Sequence, residues 1–434
     1  MEIPLTVWDG LDFTCIHAVA LFADIQNSVL ISSALSLREY DELVCAYQQA
    51  MLDLVGKLHE QHMPLGEYHI AGDQLSLFFY DPAEVEHNFL LDGPQAVVGN
   101  DRELLIQHSS KSNQSLVYDA LKAAIQLKNH WLVQRFNLER VANHQAPFEL
   151  SIGMHFGRVF LRKRPDGNLR IEGYMVNLAK RVESVSRIGR YSYIMLSRDA
   201  CECLKSSIVE HSQLRQRIFF HRHELDSLEL KGVVRNQDVF ELKYYHRLSI
   251  PFPVEAVPLY ETLFSIDPSN AWAYYQLIEH YGYKLGDWET AYRLACRANV
   301  AHPRDEKIKY DLAKYHSKCG DYQMAALYCK DALVHNPDFD LAFELLARIA
   351  DETGDTAGMI AYMRNSVSLS PGSPGNLMNL GIALYMDRQY DEAARYFVKG
   401  LRGYPEYISQ QRVQQALADI AGHVELPADI STLL

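Results

Sequence analysis

The sequence predicts an α+β domain followed by an all-α array of paired helices. Strand and helix signals alternate over about the first 245 residues, in the order strand, helix, two strands, helix, strand. Further on, prolines recur every 34 or 35 residues, at Pro268, Pro303, Pro337, Pro371 and Pro405, which is a period typical of helical repeats. With 434 residues and 48% apolar side chains, the chain is expected to be globular with two or three domains.

The elements of the first region follow from the period of their apolar residues, which is two in a strand and 3.6 in a helix. In chain order they are a strand at 17–23, a helix at 37–60, a hairpin at 67–80, a helix at 116–136, a strand at 148–164, a helix at 175–188 and a strand at 193–197. This order indicates a ferredoxin-like arrangement. The polar interval at about 81–114 is predicted to be a long inserted loop.

The C-terminal region repeats a turn in phase with its prolines. Gly-Asp pairs start at Gly286, Gly320 and Gly354, and a glycine in this position ends a helix. The pattern resembles the tetratricopeptide repeat, with four units over about 268–405, inside a repeat domain at 257–434 that ends in a cap and follows a linker at 246–256. Such units must stack to bury their apolar faces. The array would bind a protein or peptide on its concave surface, or serve as a rigid spacer or oligomerisation module.

Charge and cysteine usage exclude some partners and compartments. The net charge of −13 gives no electrostatic reason to hold nucleic acid, so no nucleic-acid partner is expected. Seven scattered cysteines show no disulfide pattern, and the chain has neither a visible signal peptide nor an apolar run long enough for a membrane span. We therefore expect a cytoplasmic protein that does not contact a membrane.

Two acidic residues stand at the ends of predicted strands. Asp24 follows an apolar strand and Asp73 follows Gly72 in the hairpin turn. A buried carboxylate costs free energy unless it is paired or binds a metal, and two such groups could hold a pair of divalent cations. The backbone amides of residues 25–28 could then cradle phosphates. Each aspartate alone could equally be a helix N-cap or a turn former.

A third segment carries an amide and a guanidinium on one helix face. Asn177 and Arg181 are four residues apart, so both point from the same side of the predicted helix. These groups suit a ribose oxygen and a phosphoryl group that develops negative charge. Taken alone, such a pair is more often a solvated surface.

Together, and in this order, these segments resemble the catalytic domain of class III nucleotidyl cyclases. The resemblance covers nearly all of 12–243, within a domain at 1–245, and rests on the segment from Phe22 to Ile25, the Gly72-Asp73 hairpin, Gly153 with Gly157, the motif from Gly173 to Arg181, and the segments 230–232 and 239–242. It implies a phosphorus–oxygen lyase that converts a nucleoside triphosphate into a 3′,5′-cyclic nucleotide and pyrophosphate.

The resemblance also implies roles for individual residues. Two Mg²⁺ or Mn²⁺ ions would be held by Asp24, Asp73 and Ile25. Asn177 would orient the ribose and Arg181 would stabilise the transferring phosphoryl group. Contacts to the nucleotide are expected from Ile25, Asn27, Ser28, Tyr68, His69, Arg170 and Lys231. In this family one protomer supplies the carboxylates and the other the Asn/Arg pair, which implies a homodimer with sites at its interface.

The residues that read the base fit neither purine pattern of the family. His69, preceded by Tyr68, stands four positions before Asp73, and Arg170 stands three before Gly173. Because arginine only donates hydrogen bonds, it suits carbonyl oxygens, such as O2 or O4 of uracil, O2 of cytosine or O6 of guanine. A neighbouring Tyr68 or His69 could stack on a smaller ring. This resembles the bacterial anti-phage cyclases that make cyclic CMP or cyclic UMP. Three alternatives stay open: an adenylate or guanylate cyclase, an inactive cyclase-like domain on a repeat scaffold, and a surface role for Arg170.

Overall fold

The computed structural model describes residues 13–82, 84–85, 102–163, 169–210, 217–223, 238–246 and 254–431. The chain divides into two compact units, of which the first comprises Met1–Ser207, Ile218–Tyr245 and Ser249–Ile266. The second comprises Ile208–Arg217, His246–Leu248 and Asp267–Leu434. An α+β sheet domain followed by an all-α helical array confirms the predicted fold class.

The described strands of the first unit form one sheet. They are β1 (Phe13–Ile25), β2 (Leu65–Ala71), β3 (Gln74–Phe79), β4 (Leu150–Lys163), β5 (Leu169–Glu172), β6 (Ile194–Ser197), β7 (Arg217–His223) and β8 (Val239–His246). Their order is β2-β3-β1-β4-β6-β8-β7, and β5 pairs with β4. Strand β1 is antiparallel to both β3 and β4, whereas β6 is parallel to β4.

Seven helices of the first unit lie in the described residues. They are α1 (Ser28–Ala34), α2 (Leu37–Glu60), α3 (Arg102–Leu132), α4 (Arg135–Ala142), α5 (Tyr174–Ser184), α6 (Arg198–Glu210) and α7 (Ala256–Ile266). Helix α2 begins with a capping box in which Ser36 and Glu39 exchange hydrogen bonds, and this fixes its first turn.

Both faces of β1 are buried. Ala18, Ala20 and Phe22 pack in a cluster with Ala179 of α5, and because side chains alternate along a strand, Val19, Leu21 and Ala23 face the other side. Helix α5 lies directly on β4 at two glycines. A Cβ at Gly153 would stand 2.1 Å from the Glu183 backbone nitrogen, and one at Gly157 would stand 2.0 Å from the Met175 Cε. These glycines therefore permit the close contact.

Several boundaries differ from those expected. The helix predicted at 116–136 is divided between α3, which ends at Leu132, and α4, which begins at Arg135. Helix α3 begins at Arg102, so the inserted loop predicted at about 81–114 is helical from there on. The run at 107–115 is polar and lacks the apolar period that marks a helix packed against a core, which is why the sequence pattern did not predict a helix there. Helix α7 belongs to the first unit, beyond the linker predicted at 246–256, and the Tyr260 hydroxyl donates to Asn129 Oδ1 of α3 at 2.7 Å.

The second unit is a run of helix pairs. Its helices are α8 (Ala271–Ile278), which continues as a π-helix over Glu279–Leu285, then α9 (Trp288–Ala301), α10 (Glu306–Lys318), α11 (Tyr322–His335), α12 (Asp340–Thr353), α13 (Thr356–Leu369), α14 (Pro374–Met386), α15 (Tyr390–Gly403), α16 (Gln411–Ile420) and α17 (Ala428–Ser431). No helix in the described stretches is long and apolar enough to cross a membrane.

The repeated Gly-Asp pairs perform two tasks at each turn. Gly286, Gly320 and Gly354 have φ of 73°, 79° and 75°, a left-handed conformation that glycine adopts at little cost. The aspartate that follows caps the next helix, as when the Asp287 side chain accepts from the Thr290 backbone N–H. The recurrence in the sequence thus corresponds to a recurrent helix stop and start.

Candidate functional site

Asp24 and Asp73 lie together at one end of the sheet. Strand β1 pairs Asp24 with Gln74 of β3, and Asp73 directly precedes Gln74 in the β2–β3 turn. Gly72 makes this tight turn possible with a φ of 63°. The two carboxyl groups are close enough to share a hydrogen bond. The structure therefore brings together the two acids that the sequence singled out.

The site disfavours negative charge on Asp24. Burial raises the pKa of Asp24 to about 8, and the neighbouring Asp73 and Glu183 carboxyl groups add to this effect. Among the described residues, the buried Oδ1 of Asp24 and Oδ2 of Asp73 have no hydrogen-bond partner. A buried, unpaired carboxylate oxygen is costly, and a cation is one group that would satisfy both atoms.

The donor set fits a hard divalent cation. Carboxylate oxygens are ligands that Mg²⁺ accepts, usually with several waters or phosphate oxygens besides. The described residues contain no group of three or more His, Cys, Asp or Glu side chains arranged to hold a metal ion. A cation on Asp24 and Asp73 would therefore draw its other ligands from water, from phosphate or from a backbone carbonyl such as that of Ile25.

Glu183 is a third acid near this pair, and sequence reasoning missed it. It is 8% exposed, and burial raises its pKa to about 7, which Lys180 and Arg187 counteract and Asp73 reinforces. Its signal in the sequence was a carboxylate on the apolar side of α5, one residue after Val182. Lys180 Nζ also donates to Gln74 Oε1 at 3.1 Å, which links α5 to the hairpin.

Helix α2 supplies three further neighbours that sequence reasoning missed. The Tyr47 hydroxyl donates to the Ala23 carbonyl oxygen at 3.0 Å, and Gln48 Nε2 donates to the Gly72 carbonyl oxygen at 2.9 Å. Burial raises the pKa of Tyr40, and the charges of the two aspartates raise it further, so its phenol lies near them. Nothing in the sequence marks these side chains, since their positions follow from how α2 packs on the sheet.

Asn177 and Arg181 lie on the outer side of α5. Leu178 and Ala179 of the same helix are buried, whereas Asn177 is exposed and Arg181 half-buried. In the part of the chain that the structure describes, neither side chain bonds to Asp24 or Asp73. One chain therefore does not bring the amide and guanidinium onto its own carboxylates.

The segment after Asp24 has the backbone conformation that a glycine would favour. Asn27 stands at a φ of 60°, which asparagine tolerates better than most residues. Ser28 begins α1, and Ile25 ends β1. Lys231 lies outside the described residues.

Tyr68 and His69 are neighbours on β2 and so point to opposite faces of the sheet. The His69 ring lies 6.3 Å from the ring of Phe78, which packs edge-on against Phe22. Phe22 shares its face with Asp24, two positions along β1. His69 therefore lies on the face that carries Asp24, and Tyr68 lies on the other.

Arg170 lies at the far end of the sheet from the carboxylates. On β5 it pairs with Arg162 of β4, which pairs with Phe13 of β1. Asp24 is eleven residues further along β1, a distance of roughly 36 Å at about 3.3 Å per residue. Arg170 Nε forms an ion pair with Glu172 Oε1 at 3.1 Å. Within one chain, Arg170 and Asp24 cannot contact the same nucleotide.

Comparisons with known proteins give only distant likenesses. No family model and no curated protein matches the chain. A solved catalytic core of a rhodopsin-guanylyl cyclase with converted specificity, in complex with ATPαS, is 17% identical, with 54% of this chain and 98% of that chain covered and a TM-score of 0.33. The guanylyl cyclase domain of the RhoGC fusion protein from the aquatic fungus Blastocladiella emersonii is 16% identical, with 53% and 97% covered and a TM-score of 0.30.

For the repeats, YrrB, a TPR protein with an unusual peptide-binding site, is 18% identical, with 38% of this chain and 82% of that chain covered and a TM-score of 0.32. Likenesses at these scores assign no activity, ligand or partner to this chain.

Proposed function

We propose that the chain is a metal-dependent nucleotidyl cyclase that converts a nucleoside triphosphate into a 3′,5′-cyclic nucleotide and pyrophosphate. The observation that carries the proposal is the pair of carboxylates at adjacent strand ends, Asp24 and Asp73, each with a buried oxygen that lacks a partner among the described residues. The order of sequence motifs around them is the second support.

The chain's own residues would contribute positioning and charge. Asp24 and Asp73 would hold the cations, whose chemistry is to lower the pKa of the ribose 3′-hydroxyl and offset phosphate charge. The backbone of residues 25–28 adjoins Asp24 and would contact the triphosphate. Asn177 would orient the ribose, and Arg181 would donate to the phosphoryl oxygens as the 3′-oxygen attacks the α-phosphorus in line and pyrophosphate leaves.

We propose that the working enzyme is a homodimer. A nucleotide seated on Asp24 and Asp73 cannot reach Arg170 of the same chain, and Asn177 and Arg181 point away from the sheet that carries the carboxylates. A second copy that presents its α5 and β5 to this end of the sheet would complete the site, and twofold symmetry would create two of them.

We propose a pyrimidine nucleotide, CTP or UTP, as the substrate, with the cyclic product acting as a signal in anti-phage defence. Arg170 presents donors for base carbonyl oxygens, and the paired Glu172 presents acceptors beside it. His69 faces the Asp24 side of the sheet and would lie against the ring. Arg170→Asp should change the ratio of turnover among CTP, UTP, ATP and GTP, and an equal fall for all four would refute base reading by Arg170.

The reaction assignment is tested by pyrophosphate release from two variants of the full-length protein. Asp73→Asn should abolish turnover, and Arg181→Ala should lower kcat by a larger factor than it raises KM. Asp53→Asn, an exposed carboxylate on α2, should keep wild-type turnover. Undiminished activity in Asp73→Asn would remove the metal assignment, whereas no pyrophosphate release from the wild type with any nucleotide would favour an inactive domain on a repeat scaffold.

We propose a protein or peptide partner for the repeats. The second unit contains a cleft of about 300 Å³ that could hold part of such a partner. Its lining includes polar and charged side chains, namely Tyr310, Lys314, Glu344, Arg348, Asp351, Asn379 and Arg412. If the repeats control the cyclase through dimerisation, a chain that ends at Ile266 should differ from the full-length chain in both the fraction of chains found in dimers and the turnover. A change in neither would leave the repeats as a separate binding module.

A further inference from the structure

Helix α2 connects the two strand ends on which the carboxylates are mounted. The Tyr47 hydroxyl donates to the Ala23 carbonyl oxygen at 3.0 Å, and Gln48 Nε2 donates to the Gly72 carbonyl oxygen at 2.9 Å. Ala23 directly precedes Asp24, and Gly72 directly precedes Asp73. Two consecutive residues of one helix thus hold the backbone in front of both aspartates.

The Tyr47 hydroxyl also lies near β3. It is close to the Leu75 backbone N–H, and Leu75 is the residue that pairs with Ala23 in the sheet. Tyr47 is completely buried and packs edge-on against Trp131, with ring centroids 5.5 Å apart. Packing therefore holds the Tyr47 phenol in place between the strand that carries Asp24 and the hairpin that carries Asp73.

The contact from Gln48 matters because, among the described residues, the other side-chain hydrogen bond that reaches this end of the hairpin from a helix is that of Lys180 to Gln74. Ala71 and Gly72 are exposed, and the two carboxylates repel each other when both are charged. Gln48 lies outside the hairpin, on α2, and its side chain donates a hydrogen bond to the Gly72 carbonyl oxygen in the turn. Without it, the turn could relax and increase the separation between Asp73 and Asp24.

We infer that Tyr47 and Gln48 are positioning residues that hold Asp24 and Asp73 at the separation required for divalent cations. The inference rests on the proposed function, in which the two aspartates bind metal. Neither side chain touches the cation, so each acts through the carbonyl that it holds. Outer partners of this kind typically change metal affinity by about 10–100-fold when removed.

The test is Mn²⁺ binding to the full-length protein, measured by isothermal titration calorimetry beside a thermal unfolding scan. Tyr47→Phe and Gln48→Ala should each weaken Mn²⁺ binding by about 10–100-fold. Tyr260→Phe is a matched control because it removes another buried phenol hydrogen bond, of 2.7 Å. Gln49→Ala is the second control. Gln49 is the next residue of α2 after Gln48, and the change removes only its surface hydrogen bond to Asp53.

The variant Asp73→Asn distinguishes failure of the proposed metal site from failure of the positioning role of Tyr47 and Gln48. If wild-type Mn²⁺ binding survives Asp73→Asn, the metal site of the proposed function is wrong. If Asp73→Asn abolishes binding while Tyr47→Phe and Gln48→Ala bind as the wild type does, only the positioning role is overturned. Equal weakening in Tyr260→Phe would also overturn it for Tyr47, since the effect would then be general loosening. If Tyr47→Phe unfolds, Gln48→Ala still tests whether α2 positions the two aspartates, because Gln48 is only half-buried and its replacement should leave the fold intact.

Discussion

The carboxyl group of Asp24 opposes folding when no cation is bound, because burial and the neighbouring Asp73 carboxyl group both disfavour its charged form. Asp73→Asn should therefore stabilise the protein in the presence of a chelator, by roughly 1–3 kcal/mol. Excess Mn²⁺ should stabilise the wild type and leave the variant unchanged, since only the wild type binds the cation. Urea unfolding at neutral pH with EDTA or with Mn²⁺ measures both effects. A variant less stable than the wild type in EDTA would contradict this account.

The sequence could identify Asp24 because an acid directly after an apolar strand stands out. Asp73 is an ordinary turn residue by itself, and its place in the order of motifs is what identifies it. The sequence could not identify Tyr47 or Gln48, whose contacts depend on the angle at which α2 crosses the strands. Glu183 is an intermediate case, since a carboxylate on the apolar side of a helix is visible in the sequence but its nearness to Asp73 is not. Side chains that act through the packing of two elements are those that single-sequence reasoning misses.

Strand β8 and the segment before β6 are joined by one buried carboxylate. Burial alone would raise the pKa of Glu241, but hydrogen bonds from His223 Nε2 and from the backbone N–H groups of Arg190, Tyr193 and Tyr191 outweigh it and lower this pKa below its usual 4.5. The charged form is thus favoured by folding, and the stability it gives is present above about pH 4.5 and lost as the pH falls through the lowered pKa.

Glu241→Gln should accordingly cost roughly 3–5 kcal/mol at pH 7, with a difference from the wild type that shrinks below about pH 4.5. Denaturant unfolding at a series of pH values measures this difference. Glu139→Gln is the control, because the Glu139 side chain is exposed and pairs only with Arg135 four residues away on the surface in the described residues; its effect should stay within about 0.5 kcal/mol. A pH-independent loss in Glu241→Gln would contradict the role of the charge.

A shortened chain must include helix α7 if its first unit is to remain stable. Tyr260 and Phe264 of α7 are completely buried, so a chain that ends at 256 loses both side chains from the core. Such a chain should be less stable than one that ends at Ile266 by at least about 3–5 kcal/mol, the cost of deleting one large buried aromatic. Thermal unfolding of the two shortened chains measures the difference. Equal stability would place α7 outside the unit.

Helix and strand positions were predictable where a local signal marked them. Helix α2 occupies the predicted 37–60 because Ser36 and Glu39 form a capping box before a strongly periodic apolar face. The sequence pattern places α7 with the repeats, because an apolar helix face alone does not indicate which core the helix packs against. The sequence contains the period of the repeats and the ends of their helices, whereas the assignment of α7 depends on long-range contacts.

In the assembled protein, the proposed site draws on two chains, and this can be tested by mixing inactive variants. Asp73→Asn and Arg181→Ala should each be inactive or nearly so as homodimers. Co-expressed, they should regain about a quarter of wild-type turnover, because random association makes half of the dimers mixed and each mixed dimer has one intact site. A mixture of Asp73→Asn with Asp24→Asn should regain nothing, since both changes fall in the same half-site. Recovery in neither mixture, or in both, would contradict shared sites.

The central claim is that the protein cyclises a nucleoside triphosphate, and product identification tests it most directly. The purified full-length protein would be given ATP, GTP, CTP and UTP separately, with Mn²⁺ or Mg²⁺, and its products identified by mass spectrometry. The account predicts pyrophosphate together with a 3′,5′-cyclic nucleotide, chiefly cyclic CMP or cyclic UMP, and no product from Asp73→Asn. A dominant cyclic AMP or cyclic GMP would keep the cyclase and overturn the pyrimidine assignment. No cyclic product from any of the four nucleotides would contradict the claim itself.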